Sequence, residues 1–134
     1  IITDLGDSNM KNRSKQREAI LKVLRATDTH PTANWIYDEV RKEIPNISLG
    51  TVYRNLDALA KAGMILSIDV GDGFTHYDGD TSAHLHLQCN CCEKIDDLRF
   101  DDSLITSLAD MQGFTPEKAV YVLSGLCKNC KVIN

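Results

Sequence analysis

No apolar run in the 134-residue sequence approaches the roughly 20 residues that a membrane-spanning helix requires. The sequence also shows no secretory signal peptide, no internal repeat and no low-complexity tract. These absences exclude a membrane-spanning segment and a repeat architecture within this sequence. With 43% hydrophobic and 25% charged residues, the composition is ordinary for a globular protein, and we expect a soluble, cytoplasmic one.

An even number of cysteines, as in a typical disulfide framework, is also missing, because the sequence contains five. Four of them form two C-x2-C pairs, in which Cys89 is followed by Cys92 and Cys127 by Cys130. A turn with this spacing supplies two of the four tetrahedral ligands of a structural zinc ion. The sequence therefore predicts a closed Zn²⁺ site built from these four thiolates in a reducing cytosol, with Cys91 left over.

A second group of metal donors contains nitrogen and oxygen but no sulfur. His84 and His86 lie two positions apart on a predicted strand, so both project from one face. Candidate partners for them are Asp97, Asp78 and His30. Three imidazoles with two carboxylates suit Fe²⁺, Mn²⁺ or Zn²⁺ and can leave one coordination position open. Taken singly, each of these residues is equally compatible with an ordinary surface or hydrogen-bonding role.

Positive charge is scarce in the chain as a whole, and the net charge of −4 at first argues against a nucleic-acid partner. The distribution is uneven, however. Residues 10–64 carry ten Lys and Arg against six Asp and Glu, whereas residues 65–134 carry five against eleven. This asymmetry indicates a DNA-binding module joined to a module of different character. Chance clustering of charges on solvated helix faces is the alternative explanation.

The pattern of residues 14–79 predicts a winged helix-turn-helix, made of three helices and a hairpin. The helices are expected over residues 15–26 with Ser14 as the N-cap, over residues 32–43, and over residues 49–62 with Ser48 as the N-cap. The second helix should turn Trp35 inward together with Ile36 and Val40. The hairpin follows around a Gly-Asp-Gly turn. His76 is a competing candidate for the nitrogen and oxygen donors, but it is assigned to the surface of the wing.

The rest of the chain is assigned by composition and position. The pattern of residues 84–134 predicts a small α/β unit with little core of its own. Metal binding and dimerisation would help this unit to fold. Residues 80–83 are the expected hinge, which makes the fold class α+β. Residues 1–13 are interpreted as a lead-in, in which Ile1–Asn9 is an expression remnant or disordered and Met10 is the native start.

The sequence resembles the ferric uptake regulator family over nearly all of residues 14–131. The matching motifs are specific when taken together, and they are KQREAIL (15–21), HPTA (30–33), IY (36–37), PNISLGTVYRNL (45–56), HLH (84–86), CNCCEKI (89–95) and CKNC (127–130). The resemblance implies an N-terminal winged-helix DNA-binding domain and a small C-terminal α/β dimerisation domain. It also implies a homodimeric, metal-dependent repressor of transcription that binds double-stranded operator DNA.

Peroxide-sensing members of this family carry a regulatory site of three histidines and two aspartates. The motifs carry that ligand set over to His30, Asp78, His84, His86 and Asp97. Iron-uptake members typically have glutamate where Asp97 stands, so Asp97 favours the peroxide-sensing (PerR) subfamily. An Fe²⁺-sensing iron-uptake repressor (Fur) is the alternative, and a zinc-uptake repressor is a less favoured one.

The resemblance further implies how such a repressor would respond to hydrogen peroxide as its signal. The regulatory metal would be Fe²⁺ or Mn²⁺, beside a structural Zn²⁺ in the cysteine site. Oxidation catalysed by Fe²⁺ would modify a ligand histidine, His30 or His84, and the modified repressor would release its operator. The Mn²⁺ form would bind DNA without responding to peroxide.

In such a fold the third predicted helix would enter the major groove, with Thr51, Tyr53, Arg54 and Asn55 near its N-terminal half. Arg54 could read guanine or bind a phosphate, and Asn55 could pair with adenine. Arg17 on the first helix is expected to hold a phosphate. Partial core packing is the alternative role for Tyr53.

Three features depart from the family pattern. The helix that usually lies upstream of the Gln16-Arg17 motif is expected to be absent or degenerate here, which bears on phosphate contacts. Glu93 stands where the family usually has glycine after the first cysteine pair. Cys91 is a thiol that the pattern does not require.

Two function classes outside gene regulation would account for part of this pattern. Two histidines with a carboxylate also form the site of non-haem iron enzymes, and two cysteine pairs alone would suit a structural zinc-ribbon module. An enzyme would leave the predicted helix-turn-helix without a role, and the sequence offers no obvious substrate pocket. A zinc ribbon would leave His84, His86 and the basic N-terminal half of the chain without a role. We therefore expect a regulator and not an enzyme.

Overall fold

The computed structural model describes residues 2–133 of the chain, with side chains for residues 12–132. The chain divides into two compact units between Thr81 and Ser82, inside the predicted hinge. Within the described part, no helix combines the length and the apolar character needed to cross a membrane. In chain order the elements are α1 (Ile2–Arg25), α2 (Ala33–Val40), α3 (Leu49–Lys61), β1 (Leu66–Asp69), β2 (Thr75–Asp78), β3 (His84–Cys89), β4 (Ile95–Arg99), α4 (Ser103–Met111), β5 (Tyr121–Gly125) and α5 (Lys128–Ile133).

The N-terminal unit consists of three helices followed by a two-stranded antiparallel hairpin, which is the winged-helix arrangement that the sequence predicts. Helix α3 begins after Ser48, whose side chain accepts a hydrogen bond from the Thr51 backbone N–H at 3.1 Å. The helix is followed by Gly63, whose φ of 75° is common just past a helix C-terminus. Strands β1 and β2 pair along their whole length and form the wing.

The hydrophobic core of the N-terminal unit lies among its three helices. Apolar residues spaced three and four apart give each helix one apolar face, and these faces pack together. Burial of one such side chain contributes roughly 1.5–3 kcal/mol. The most deeply buried large side chains of this core, all at most 2% exposed, are Ile20, Leu24, Ile36, Val40, Val52, Leu56, Leu59 and Ile65.

Helix α1 starts earlier than the sequence predicts. It runs unbroken over residues 2–25, so Ser14 lies inside the helix and does not cap it. Once a helix has been nucleated, each further residue adds one backbone hydrogen bond, and no proline interrupts this segment. The predictions of a start at residue 15, of a disordered lead-in and of a missing upstream helix are therefore wrong for the described residues, and Ile1 lies outside them.

Helix α2 is shorter than predicted, and Trp35 points outward from it. The helix ends at Val40, after which hydrogen-bonded turns continue to Ile44. Ala33, Ile36 and Val40 share one buried helix face. Trp35 lies one position away from that face and is 40% exposed. The prediction that Trp35 points inward is therefore wrong, whereas the prediction for Ile36 and Val40 is confirmed.

The C-terminal unit is built on a three-stranded sheet in the order β4-β3-β5. Strand β3 pairs antiparallel with β4 and parallel with β5, and the connection to the parallel strand contains α4. Alternation along β3 directs His84, His86 and Gln88 to one face of the sheet, and all three are buried. The short helix α5, which the sequence pattern does not predict, follows β5 and carries Cys130.

The C-terminal unit buries few side chains within itself. Among residues 82–132, the buried ones are His84, His86, Gln88, Cys89 and Cys130. No residue of α4, all of which is described, is buried, although its stripe of Leu104, Ile105, Leu108 and Met111 is apolar. The prediction of a unit with little core of its own is therefore confirmed.

Candidate metal centres and nucleic-acid interface

Four cysteine side chains converge in the C-terminal unit. Cys89 ends β3 and Cys92 lies in the turn after it, while Cys127 precedes α5 and Cys130 lies within that helix. Their sulfur atoms all lie within 4.8 Å of one another, and the Sγ atoms of Cys92 and Cys127 are 3.9 Å apart. Ligands about 2.3 Å from a tetrahedral zinc ion lie about 3.8 Å from each other. The four thiolates therefore form a four-cysteine site suited to structural zinc, as the sequence predicts.

Hydrogen bonds around these sulfurs make the thiols differ in pKa. The Cys127 backbone N–H donates to Cys89 Sγ at 3.4 Å, and this bond, with others from the backbone, lowers the pKa of Cys89 to about 6. Hydrogen bonds with Cys127 and Cys89 raise the pKa of Cys130 above its usual value. The lowered pKa favours the thiolate of Cys89, and the thiolate is the form that binds zinc.

Glu93 follows the first cysteine pair in a left-handed backbone conformation with a φ of 65°. Its backbone N–H donates to the Cys89 carbonyl at 3.0 Å and closes the turn that carries two zinc ligands. Glycine adopts this conformation without the steric cost that a Cβ atom adds. Glu93 therefore strains the turn at the position where the family usually has glycine.

We expect Glu93→Gly to raise the free energy of unfolding of the zinc-loaded protein by about 0.5–1 kcal/mol, because relief of the strain exceeds the added entropy of the unfolded chain. Chemical denaturation at equal zinc content measures the change. Glu93→Ala is the control, since it removes the carboxylate but keeps the Cβ, and it should leave the free energy nearly unchanged. An equal gain in both variants would contradict the backbone explanation.

Two buried histidines on β3 lie beside one carboxylate on β4. The Nε2 atoms of His84 and His86 lie 3.5 Å and 3.8 Å from Asp97 Oδ1. The Nδ1 atom of His84 lies 2.7 Å from the Ser82 carbonyl, and that of His86 lies 3.3 Å from the Tyr121 carbonyl. Because a carbonyl only accepts, each Nδ1 is the donor in these contacts, and Nε2 is the ring atom directed at the carboxylate and available to a metal. Metal-binding histidines are held in the same way.

The N-terminal unit contains a second pair of histidine and carboxylate. His30 Nε2 lies 3.2 Å from Asp78 Oδ2, and the two side chains are 1% and 8% exposed. The other oxygen of Asp78 accepts a hydrogen bond from the Asp80 N–H at 2.9 Å. His30 precedes Pro31 and has a φ of 54°, so it leaves the helical region for the left-handed one. Two ligands about 2.1 Å from one ion lie about 3 Å apart, which the His30–Asp78 pair matches.

The two donor sets, one of three residues and one of two, share one kind of chemistry. Imidazole and carboxylate donors without sulfur suit Fe²⁺ or Mn²⁺ better than they suit the ions that thiolates select. Both donor sets, one in each unit, therefore have the character of a regulatory Fe²⁺ or Mn²⁺ site. The structure places all five residues that the sequence suggests for this role in one or the other set.

A groove between α1 and α3 forms the candidate nucleic-acid interface. It has a volume of about 430 Å³ and is lined by Asn12, Arg13, Gln16, Arg17, Thr51, Arg54, Asn55 and Ala58, none of them acidic. Arg54 Nη2 donates to Thr51 Oγ1 at 3.0 Å, which directs the guanidinium along α3. Tyr53 does not line the groove and is 48% exposed. Four of the five predicted DNA-contact residues are thus brought to one basic groove.

Asn55 differs from the other predicted DNA-contact residues because it is buried. It is only 7% exposed, and its Nδ2 donates to the Thr51 carbonyl at 2.9 Å and to Gln16 Oε1 at 3.3 Å. An amide nitrogen that is engaged in this way is not available to a base edge. The position of Asn55 therefore favours a role in holding α1 against α3 over the adenine contact that the sequence predicts.

His76, the competing candidate for a metal ligand, makes hydrogen bonds through both of its ring nitrogens. Its side chain is 13% exposed, with Nε2 2.6 Å from Asp72 Oδ2 and Nδ1 2.7 Å from the His30 carbonyl oxygen. Burial raises the pKa of Asp72, but hydrogen bonds from His76 and from the Phe74 N–H outweigh it and lower that pKa below its usual value. The assignment of His76 to the wing surface is therefore wrong. Asp72, four positions earlier, is the signal that could have indicated the pairing.

Comparison with known sequences gives the family. A model of the ferric uptake regulator family matches residues 7–119 of the chain. The peroxide-responsive repressor PerR of Staphylococcus saprophyticus is 34% identical over 97% of this chain and 88% of its own length. The protein of the same name from Staphylococcus aureus is 36% identical over 87% of this chain and 80% of its own.

Solved structures similar to this one belong to the same family as the similar sequences. The peroxide stress regulator of Campylobacter jejuni has a TM-score of 0.82 and 32% identity, covering 97% of this chain and 98% of that one. The ferric uptake regulator of Helicobacter pylori has a TM-score of 0.70 and 27% identity, covering 97% and 91%. The predicted fold class, a winged-helix domain followed by a small α/β dimerisation domain, is the fold of these neighbours. This protein, with its four-cysteine site and its histidine and aspartate donors, belongs to the ferric uptake regulator family.

Proposed function

We propose that the chain is a metal-dependent, peroxide-responsive repressor of transcription that acts in the cytoplasm as a homodimer on double-stranded operator DNA. The observation that carries the proposal is the presence of sulfur-free donor sets in both units of a winged-helix protein whose thiolates form a separate site. This separation reserves the imidazoles and carboxylates for an exchangeable or redox-active ion. The names of the relatives, which are peroxide-responsive repressors, support the response to peroxide.

The regulatory ion is proposed to be held jointly by the donors of both units. His30 and Asp78 come from the N-terminal unit, and His84, His86 and Asp97 come from the C-terminal unit. Ligands shared in this way restrict the orientation of the two units, and the spacing of two winged helices in a dimer must match half-sites on DNA. Metal binding and DNA binding are then linked by a coupling free energy of about 1–3 kcal/mol.

The response to peroxide is proposed to be a ligand oxidation. The histidine and aspartate donors would hold an Fe²⁺ ion that would supply electrons to hydrogen peroxide, so that one oxygen atom of the peroxide would be added to an imidazole ligand and the other would leave as water. His30 and His84 are the proposed targets by resemblance to the peroxide-sensing members of the family, and each is 3% exposed with its Nε2 beside a carboxylate. An oxidised imidazole is a poor ligand, so the donors of the two units no longer act together and the DNA is released.

The proposed DNA contacts lie on α3 and on the adjacent part of α1. Thr51, Tyr53 and Arg54 occupy the N-terminal half of α3, which would enter the major groove. Arg17 lines the same groove and would hold a backbone phosphate. Asn55 supports them by fixing α3 against α1.

Arg54→Ala is expected to weaken operator binding of the Mn²⁺-loaded protein by roughly ten- to 100-fold, because it removes a forked donor from the groove. Fluorescence anisotropy with a labelled duplex at one fixed salt concentration measures the loss. Arg41→Ala is the matched control, since Arg41 follows α2 and pairs with Asp38 at 3.4 Å, away from the groove. Equal losses in the two variants would contradict a specific role for Arg54.

The homodimer is proposed from the apolar surface of the C-terminal unit. The stripe on α4 is 44–78% exposed, and Leu98 and Leu123 on the sheet are 51% and 57% exposed. Exposed apolar side chains in such number are unusual on a monomer that remains in solution. A second copy of the chain, which is what the fold of the family implies, would cover them.

A DNA-binding experiment tests the proposed function. Duplexes enriched from a randomised pool by the Mn²⁺-loaded protein supply the operator, and binding is then measured with Mn²⁺ or Fe²⁺ before and after a brief, low dose of hydrogen peroxide. The proposal predicts release from the Fe²⁺ form only, without recovery when fresh Fe²⁺ is added. Binding that follows free Fe²⁺ reversibly would identify an iron-uptake repressor, and failure to enrich any duplex would contradict a DNA-binding function.

A further inference from the structure

His76 connects a metal-ligand pair to the tip of the wing. Its Nδ1 lies 2.7 Å from the His30 carbonyl oxygen, and its Nε2 lies 2.6 Å from Asp72 Oδ2. Both partners are acceptors, so the ring donates to each of them. The other carboxylate oxygen of Asp72 accepts from the Phe74 N–H at 3.0 Å, within the turn between β1 and β2. A continuous chain of hydrogen bonds therefore runs from the wing tip to the backbone of His30.

His30 requires restraint because its backbone conformation is sparsely populated. A φ of 54° lies in the left-handed region, which residues with a Cβ atom rarely adopt. The neighbouring strand holds this segment, since the Tyr77 N–H donates to the Pro31 carbonyl at 2.9 Å and Thr32 forms an isolated bridge with His76. His76 thus contacts the segment through its backbone and through its side chain, and both contacts limit where the His30 ring can point.

We propose that His76 is a positioning residue of the regulatory metal site. By holding the His30 carbonyl it keeps the His30 ring beside Asp78, and through Asp72 it links that ligand to the order of the wing tip. His76 itself binds no metal in this scheme. The inference rests on the proposed function, in which His30 and Asp78 hold the regulatory ion, and it adds a route from that ion to the tip of the wing.

The hydrogen-bond chain has two halves, from His76 to the His30 carbonyl and from His76 to Asp72, and three variants separate them. His76→Ala removes both halves. His76→Asn keeps an amide nitrogen near the position of Nδ1 but is too short to reach Asp72. Asp72→Ala leaves the bond to His30 intact and releases the wing tip. All three retain the four cysteines, so zinc content and the thermal unfolding transition serve as checks of folding.

The first measurement is Mn²⁺ affinity of the full-length, zinc-loaded protein without DNA. Loss of a hydrogen-bond partner behind a metal ligand typically weakens metal binding roughly ten- to 100-fold. We expect His76→Ala to lose about tenfold or more, and His76→Asn and Asp72→Ala to stay within about threefold of the wild type. A general loss of packing would instead weaken Mn²⁺ binding in His76→Asn as much as in His76→Ala.

The second measurement is amide hydrogen exchange of the Phe74 and Tyr77 N–H groups, in the metal-free protein and with Mn²⁺. We expect Mn²⁺ to slow exchange at Phe74 in the wild type, and we expect this effect to disappear in His76→Ala and in Asp72→Ala. Wild-type Mn²⁺ affinity in His76→Ala, with Mn²⁺ still slowing exchange at Phe74 in that variant, would overturn the role of His76 alone. Absence of Mn²⁺ binding by the wild type would overturn the proposed function and this inference together.

Discussion

Replacing Cys127 by serine is expected to remove the bound zinc and, with it, the cooperative unfolding of the C-terminal unit. Zinc content should fall from about one ion per chain to below roughly 0.1, because a tetrahedral thiolate site that loses one ligand rarely keeps its ion. The circular dichroism signal of the N-terminal unit should stay close to that of the wild type, since the apolar core of this unit does not involve the cysteines. Metal analysis and thermal unfolding followed by circular dichroism measure the two effects.

The size of this effect follows from what the C-terminal unit buries. Of its buried side chains among residues 82–132, Cys89 and Cys130 belong to the four-cysteine site and the others are His84, His86 and Gln88. Apolar burial therefore contributes little within the chain, and the ion must connect β3 to α5. Small units of this kind are usually unfolded without their metal.

Cys91→Ser provides the matched control for this experiment. Cys91 lies between the ligands Cys89 and Cys92, is exposed, and is not among the four sulfurs that converge. The same chemical change at this position should leave zinc content and the unfolding transition unaltered. Retention of zinc by Cys127→Ser, or its loss from Cys91→Ser, would contradict the assignment of the site.

His86→Ala is expected to abolish the dependence of DNA binding on Mn²⁺. Allosteric coupling of this kind typically raises affinity roughly 5- to 150-fold, and the variant should show none of that increase. His86 is 0% exposed, its Nδ1 is held by the Tyr121 carbonyl, and its Nε2 lies 3.8 Å from Asp97. No neighbouring side chain can replace a donor that is fixed on both sides. Titration of operator binding against Mn²⁺ measures the change, at constant zinc content.

Gln88→Met is the control on the same strand. Gln88 lies two positions from His86 on the same face of β3 and is 6% exposed. Its Oε1 has no hydrogen-bond partner among the described residues, so an apolar side chain of similar size costs little there. Gln88→Met should keep the full response to Mn²⁺. A response that survives in His86→Ala would show that the ligand set has been assigned wrongly.

Residues whose partners lie close in sequence were predictable. The C-x2-C pairs and the histidines two apart on β3 depend on one turn and on strand alternation, and both are local rules. Ser48 at the start of α3 and Gly63 after its end follow from equally local rules of capping. For these residues the sequence already indicated the geometry that the structure shows.

Residues whose environment depends on distant contacts were not predictable in the same way. Trp35 is exposed because α2 packs on its other face, and Asn55 is buried because α1 lies against α3. His76 turns toward His30, 46 positions away, although strand alternation places it opposite the buried Tyr77. Periodicity identifies an apolar face but not which polar residue a neighbouring segment will contact.

The central claim, that a peroxide signal is recorded on a ligand histidine, is tested most directly by mass spectrometry. The Fe²⁺-loaded, zinc-containing protein is given a brief, low dose of hydrogen peroxide, with the Mn²⁺-loaded protein as the control. We expect one added oxygen on the peptide that contains His30 or on the peptide that contains His84, and only in the iron form. Unmodified histidines, together with DNA binding that simply follows free Fe²⁺, would contradict it.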